Sequence, residues 1–384
     1  MRINGHLRSI KALYFCLSLT LAAQTVQQLE STARERLAAK DANGALAAYQ
    51  KLAELVPKSA TYQDEIGFLL AATNRSQQAI PHFQRATELD PQSAQAWYHL
   101  GVALALTKKT NSAVTALQEA VALAPAQADY RDRLALAWAT LGDSYQQQRR
   151  YKDARDSYRQ ALKLNPNNDL ARNSYGNALV RSGDPSAGLK EFRSILAHDP
   201  NNLQVQVNVG FAYIASGDFK AAIKHLSALT RDHPDNAGAH YDLGIAYKQT
   251  DDLPRAATEL ERAVELDPSL AEAHYSLALT YIDAPDKAIE QLRAAVAQRP
   301  DYNDAWFTLG TTLQQQGDTT GAIEALRKSV ALDGLNAAAW NNLGLLLRRS
   351  GDAAGSAEAF AKAAEIRKAE ELEKERKLKQ GSRN

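Results

Sequence analysis

The chain has 384 residues, 45% of them apolar, with 45 Lys and Arg set against 44 Asp and Glu and a single Cys. A formal net charge of +1 offers no field that would gather nucleic acid or an anionic membrane, so neither is the expected partner. With one cysteine no disulfide framework is available, and stacked repeating elements would bury enough surface without one.

The first element in the chain does not read as part of a fold. MRINGHLRSIK carries Arg2, Arg8 and Lys11 with no acid, and ALYFCLSLTLAA (12–23) is an apolar run ending in small residues. This pattern predicts a secretory signal over 1–23, cleaved after Ala23 or Ala22, and an exported bacterial protein, periplasmic or secreted. The run is too short to span a bilayer, so no stable membrane span is expected. Tyr14 and Phe15 stand where a lipoprotein signal wants small residues before Cys16, which argues against lipid attachment.

From residue 26 the elements come in pairs. In WATLGDSYQQQRRYKDARDSYRQALKLNP (138–166), Trp138, Leu141, Gly142 and Tyr145 share one face of a first helix, and Ala154, Tyr158 and Ala161 share one face of a second. One such hairpin cannot bury both of its apolar faces, so it must stack on a neighbour. Pro57, Pro91 and Pro125, then Pro166, Pro200, Pro234, Pro268 and Pro300 mark a period of about 34 residues. Small residues such as Gly67, Gly101, Gly142, Gly176, Gly210 and Gly244 hold the eighth position of successive units, and Ala79, Ala113, Ala154 and Ala222 hold the matching place in the second helix. Tyr49, Phe83, Tyr158, Phe192 and Phe360 are the bulky partners that fill the space. The Gly-Asp pairs at 183–184, 217–218, 317–318 and 351–352 read as turn chemistry.

Two departures from the period carry information. Seven extra residues, ADYRDRL (128–134), nearly equal two helical turns, so the apolar phase survives and a longer first helix is predicted there from about Asp129, with Leu134 and Trp138 facing the neighbouring unit. Unit eight is two residues short at YIDAPDKAIE (281–290), which places the deletion in its turn, with Pro285 starting the second helix. The chain then ends in AEIRKAEELEKERKLKQ (364–380), where Glu370 with Lys374, Glu373 with Lys377 and Glu375 with Lys379 stand four apart and support an exposed helix.

The succession Trp, Leu, Gly, Tyr, then Ala, Phe, Ala and Pro resembles the tetratricopeptide repeat. That resemblance covers roughly nine-tenths of the chain and implies an all-α fold, a right-handed superhelical solenoid of antiparallel helix pairs over 24–370. About ten units are laid out at 26–59, 60–93, 94–127, 135–168, 169–202, 203–236, 237–270, 271–302, 303–336 and 337–370. Residues 371–384 are expected to be a charged capping helix and tail.

No catalytic constellation emerges, and the chain is expected not to be an enzyme and to need no cofactor. Each Gly is isolated rather than part of a phosphate-binding loop. His225, His233 and His240 lack the one-turn spacing of a paired metal site, so no metal is expected. His240 and His274 occupy the fourth position of their units, where Trp97, Trp138, Trp306 and Trp340 sit elsewhere, and read as substitutes for an aromatic packing residue. The sixth positions do not form the asparagine ladder of the repeat arm of O-GlcNAc transferase. A carboxylate clamp is likewise incomplete: its two asparagines are matched by Asn177 and Asn208, but Asn173, Gly238 and Asp242 stand where it requires basic residues.

In the family, fifth, ninth and twelfth positions of the first helices line a concave surface. In units six to nine these include Val207, Phe211, Tyr241, Ile245, Tyr275, Leu279 and Phe307, with Ile214 and Ile282 beside them. They form a candidate groove for a protein or peptide ligand, or else packing between adjacent first helices. Two functions follow, a scaffold that binds a peptide or helix of a partner, and a structural or self-associating solenoid. The polar C-terminal helix would block further stacking and favours the first. The sequence does not fix an oligomeric state.

Overall fold

The computed structural model describes residues 23–381, so the residues assigned to the secretory signal, apart from Ala23, lie outside the described ones. It is all-helical among those residues, a solenoid of paired helices divided into two compact units at Ile195. The first compact unit contains α1 (23–38) with α2 (Ala42–Leu55), α3 (Ala60–Ala72) with α4 (Ser76–Leu89), and α5 (Ala94–Leu106) with α6 (Thr110–Leu123). It continues with α7 (Ala128–Gln147) and α8 (Tyr151–Leu164), then α9 (Asp169–Arg181) and α10 (Pro185–Leu196). The second compact unit holds α11 (Leu203–Ala215) with α12 (Phe219–Asp232), α13 (Ala237–Gln249) with α14 (Leu253–Leu266), and α15 (Ala271–Ala278) with α16 (Pro285–Gln298). Its last pairs are α17 (Asn303–Gln315) with α18 (Thr319–Leu332) and α19 (Ala337–Arg349) with α20 (Ala353–Gly381).

The turn inside every pair except that of α15 and α16 holds one residue in the left-handed region, and in several it is followed by a helix cap. Gly183, Gly217, Gly317 and Gly351 hold φ between +77° and +98°. The following aspartate then caps the second helix: Asp218 Oδ1 accepts from the Ala221 N–H at 3.0 Å, and Asp352 Oδ1 accepts from the Gly355 N–H at 2.8 Å. An added Cβ on Gly217 would meet nothing within 4 Å, so only the backbone opposes a side chain there. Gly217→Val is therefore expected to lower stability by about 2 kcal/mol, readable as a shifted midpoint in urea unfolding.

The eighth-position glycines are small for a steric reason. A Cβ on Gly67 would stand 2.6 Å from the Phe83 ring, on Gly176 2.5 Å from Phe192, and on Gly210 2.4 Å from the Leu226 side chain. Each pair is thus one large residue of a second helix seated on the bare backbone of its own first helix. Phe83, Tyr158 and Phe192 are almost wholly buried in this way, and burial of this kind supplies most of the stability of helices this short.

Both departures from the period show their cause. The seven extra residues are helical and continuous with the first helix of unit four, giving a 20-residue α7. Leu134 is buried against Val114, Leu117 and Leu141, with Trp138 packed beside them. In unit eight the deletion does not fall in the turn as expected but shortens the helix: α15 has 8 residues where its neighbour α13 has 13, and residues 279–284 that lead to α16 outnumber residues 250–252 between α13 and α14. Its end is closed by the Thr280 hydroxyl, which donates to the Leu277 carbonyl at 2.7 Å, and Pro285 opens α16. The charged C-terminal stretch is not a separate element but the continuation of the 29-residue α20. Glu373 lies 3.7 Å from Lys377 and 3.8 Å from Arg376; the Lys379 side chain lies outside the described ones.

Candidate functional site

The fourth-position residues form a donor row rather than a metal site. The indole N–H groups of Trp97, Trp306 and Trp340 donate to the carbonyls of Pro91, Pro300 and Gly334 at 3.1, 2.9 and 3.0 Å. His240 and His274 place Nε2 at 3.2 and 3.1 Å from the carbonyls of Pro234 and Pro268. Histidine therefore replaces tryptophan in its hydrogen bond as well as in its packing, tying each first helix to the turn before it. Among the described residues no three His, Cys, Asp or Glu side chains gather where they could hold a metal ion.

The predicted groove residues lie on α11, α13, α15 and α17 and just past the end of α15, all within the second compact unit. Val207, Phe211, Tyr241, Ile245, Tyr275 and Phe307 are half-buried, whereas Leu279 is 37% exposed. Val207 rests partly on the core formed by Leu226, Leu243 and Ala246, and Tyr275 and Phe307 rest on the core around Leu309. The row is therefore a wall between adjacent first helices with one side open. Asn208 and Asp242, two members of the incomplete carboxylate clamp, are buried.

The centre of this face is an aromatic cluster in which Tyr302, outside the fifth-position and sixth-position patterns, joins the fifth-position Tyr275. The Tyr275 ring lies 5.0 Å from that of Tyr302, and the Arg299 guanidinium covers Tyr302 at 3.5 Å while pairing with Glu272. Burial pushes the Tyr302 phenol up to about 12, against the opposing effect of Arg299, with Tyr241 and Tyr275 close enough to add to the rise. Burial also raises the Tyr241 phenol, and the neighbouring Asp242 carboxylate raises it further. Tyr302 stands at the N-cap of α17, where Asn202, Asn236 and Asn336 cap the first helices of other units, and it makes no capping bond. A cap contributes about 1 kcal/mol. An aromatic residue in the cap register is the signal by which the sequence could have disclosed this residue.

Comparison with known families agrees with this architecture. The sequence matches the tetratricopeptide repeat at residues 65–128, 210–271, 241–287, 283–332 and 307–371, together more than half of the chain. The chain belongs to the tetratricopeptide repeat family. Residues 131–231 of these tetratricopeptide repeats also match the repeat domain described as that of cytochrome c-type biogenesis protein H. A search of curated proteins gave no match. Among solved structures, a crystal structure of MamA is similar at 28% identity, covering 43% of this chain and 97% of that one with a TM-score of 0.41. The structure of Naa15/Naa10 bound to HypK-THB is similar at 14% identity, with 89% and 63% covered and a TM-score of 0.47. A human IFIT1 dimer with PPP-AAAA is similar at 17% identity, with 87% and 89% covered and a TM-score of 0.43.

Proposed function

We propose that the protein is a non-catalytic interaction scaffold whose tetratricopeptide repeats bind an extended peptide or helix of a partner along α11, α13, α15 and α17. The observation that carries this reading is the half-buried aromatic pair of Tyr275 and Tyr302, the second of which stands where a helix cap stands in other units. Beside it the shortened α15 leaves Leu279 and Ile282 outside the helix, Ile282 at 71% exposure. Rigid aromatic rings flanked by exposed aliphatic residues suit apolar anchors spaced along an elongated ligand. The half-burial of the row also supports the structural alternative, so the test must separate the two. Changing Tyr241 and Tyr275 to Ala is expected to abolish capture of partners from envelope extract while the melting temperature changes by only a degree or two. A loss of several kcal/mol with binding intact would leave only the packing role.

We also propose that the scaffold acts outside the cytoplasm, a reading that rests on the charged start and short apolar run of residues 1–23. No described helix is long and apolar enough to cross a membrane. N-terminal sequencing of the protein from its native host is expected to begin at Ala23 or Gln24. Protein that retains Met1 would contradict export.

A further inference from the structure

The first compact unit carries a second apolar site, at the junction of α5, α6 and the lengthened α7. A partly enclosed cavity of about 220 Å³ is walled by Val102, Leu106, Leu117, Leu136 and Thr140, and Arg133 is the one charged side chain in its lining. A space of about 150 Å³ accepts a benzene ring, so this one accepts a leucine or phenylalanine side chain. Its rim is apolar yet open, with Leu106 67% and Leu136 57% exposed. The exposure of Leu106 is not general to the repeat: its place is taken by Ala72, Gln147, Ala215 and Gln249 in other units. Arg133 belongs to the seven-residue insertion, so the same insertion that lengthens α7 supplies the cation.

Charge around this cavity departs from the pattern of the other turns. Where Asp41, Asp218, Asp252 and Asp318 cap second helices, α4, α6 and α8 begin after Arg75, Lys109 and Arg150 and have no side-chain cap. Three consecutive units thus carry a cation in place of a capping carboxylate; α4 and α6 also have no acid in their first turn, whereas in α8 Asp153 stands there and pairs with Arg150 at 2.8 Å. Lys108 and Lys109 lead directly into Thr110, which lines the cavity. Among the described residues neither of them, nor Arg133, has an ion-pair partner. Asp132 adjoins Arg133 in sequence but is not part of the lining.

We propose that this cavity is a docking site for an acidic segment of a partner protein, which inserts one leucine- or phenylalanine-sized side chain while its flanking carboxylates meet Arg133 and the Lys108–Lys109 turn. The cavity selects the anchor by size, and the unpaired cations select the sign of its neighbours. A nucleic acid would use the charges and leave the apolar wall unfilled. This site is independent of the aromatic face on the second compact unit.

The probe is a fluorescein-labelled dodecapeptide with one Leu flanked on both sides by Glu, titrated with the full chain by fluorescence anisotropy. Replacing its Glu residues by Gln, or its Leu by Ser, is expected to weaken binding at least about tenfold. In the protein, Leu136→Ser and Arg133→Glu are each expected to weaken it by a similar factor, with the fold intact because both side chains are exposed. Lys109→Asp gives the most discriminating result: it should raise the unfolding midpoint, because Asp caps the helix as Asp218 does, and at the same time weaken the peptide. The proposal is overturned if the acidic peptide does not bind, if its Gln version binds equally well, or if Arg133→Glu and Lys109→Asp leave its affinity unchanged. Tighter binding of single-stranded RNA or anionic vesicles than of the peptide, abolished by the same two charge changes, would also overturn it.

Discussion

Tyr158→Ala is expected to lower the stability of the first compact unit by about 4 kcal/mol, as truncation of a fully buried aromatic residue does. Tyr158 is 1% exposed. Its ring lies so close to Gly142 that a Cβ there would stand 2.6 Å from it. With glycine opposite, no neighbouring side chain can swing in, so the cavity left by Ala stays open. The hydroxyl donates to Asp143 Oδ1 at 2.6 Å, and burial together with that bond pushes the phenol well above its usual range. Tyr158→Phe removes only the bond and is expected to cost about 1 kcal/mol. Because a solenoid is stabilised unit by unit, hydrogen exchange should show protection lost first in α7, α8 and α9, while α13 and α14 keep theirs. Uniform loss across the chain would show that the repeats unfold as one body.

Much of this packing is legible in the sequence because it obeys a short-range rule. The eighth-position glycine and the large residue of the following helix belong to the same unit, as Gly142 and Tyr158 do, so a 34-residue period suffices to pair them. The donor row is legible for the same reason, since His240 and Trp306 each reach a carbonyl six residues earlier. The aromatic face is less so. A fifth-position side chain touches both solvent and the next first helix, and the periodicity of one helix cannot apportion it between them; Val207 and Tyr275 prove to be shared. Tyr302 falls in a register normally reserved for caps, outside any apolar pattern. The cavity beside Arg133 depends on where α7 lies once seven residues have been added, a displacement that no repeat position encodes. What the sequence does show there is the change from Asp41 and Asp184 to Arg75, Lys109 and Arg150 at one turn position, a reversal of sign.

Leu134→Pro should be the most damaging single change in the insertion, because it acts on backbone and core together. The residue lies in the interior of α7, seventh from its start, and is 4% exposed against Val114 and Leu117. Proline removes the N–H that bonds one turn back and sets its ring against the carbonyl there, about 3 kcal/mol or more. Loss of the leucine side chain adds about 2 kcal/mol, at the low end for truncation in a core. Leu134→Ala reports the second effect alone, and Arg133→Pro, at an exposed neighbour, reports mainly the first. If urea unfolding gives about 3 kcal/mol for Arg133→Pro, the inserted residues support the fold as helix; a value below about 1 kcal/mol would mean that they behave as a loop. Arg133→Pro removes the cation and, through the same kink, displaces Leu136. Binding of the acidic peptide should therefore disappear in Arg133→Pro even at temperatures where the repeats remain folded, and it should survive in Leu134→Ala, which leaves the course of α7 unchanged.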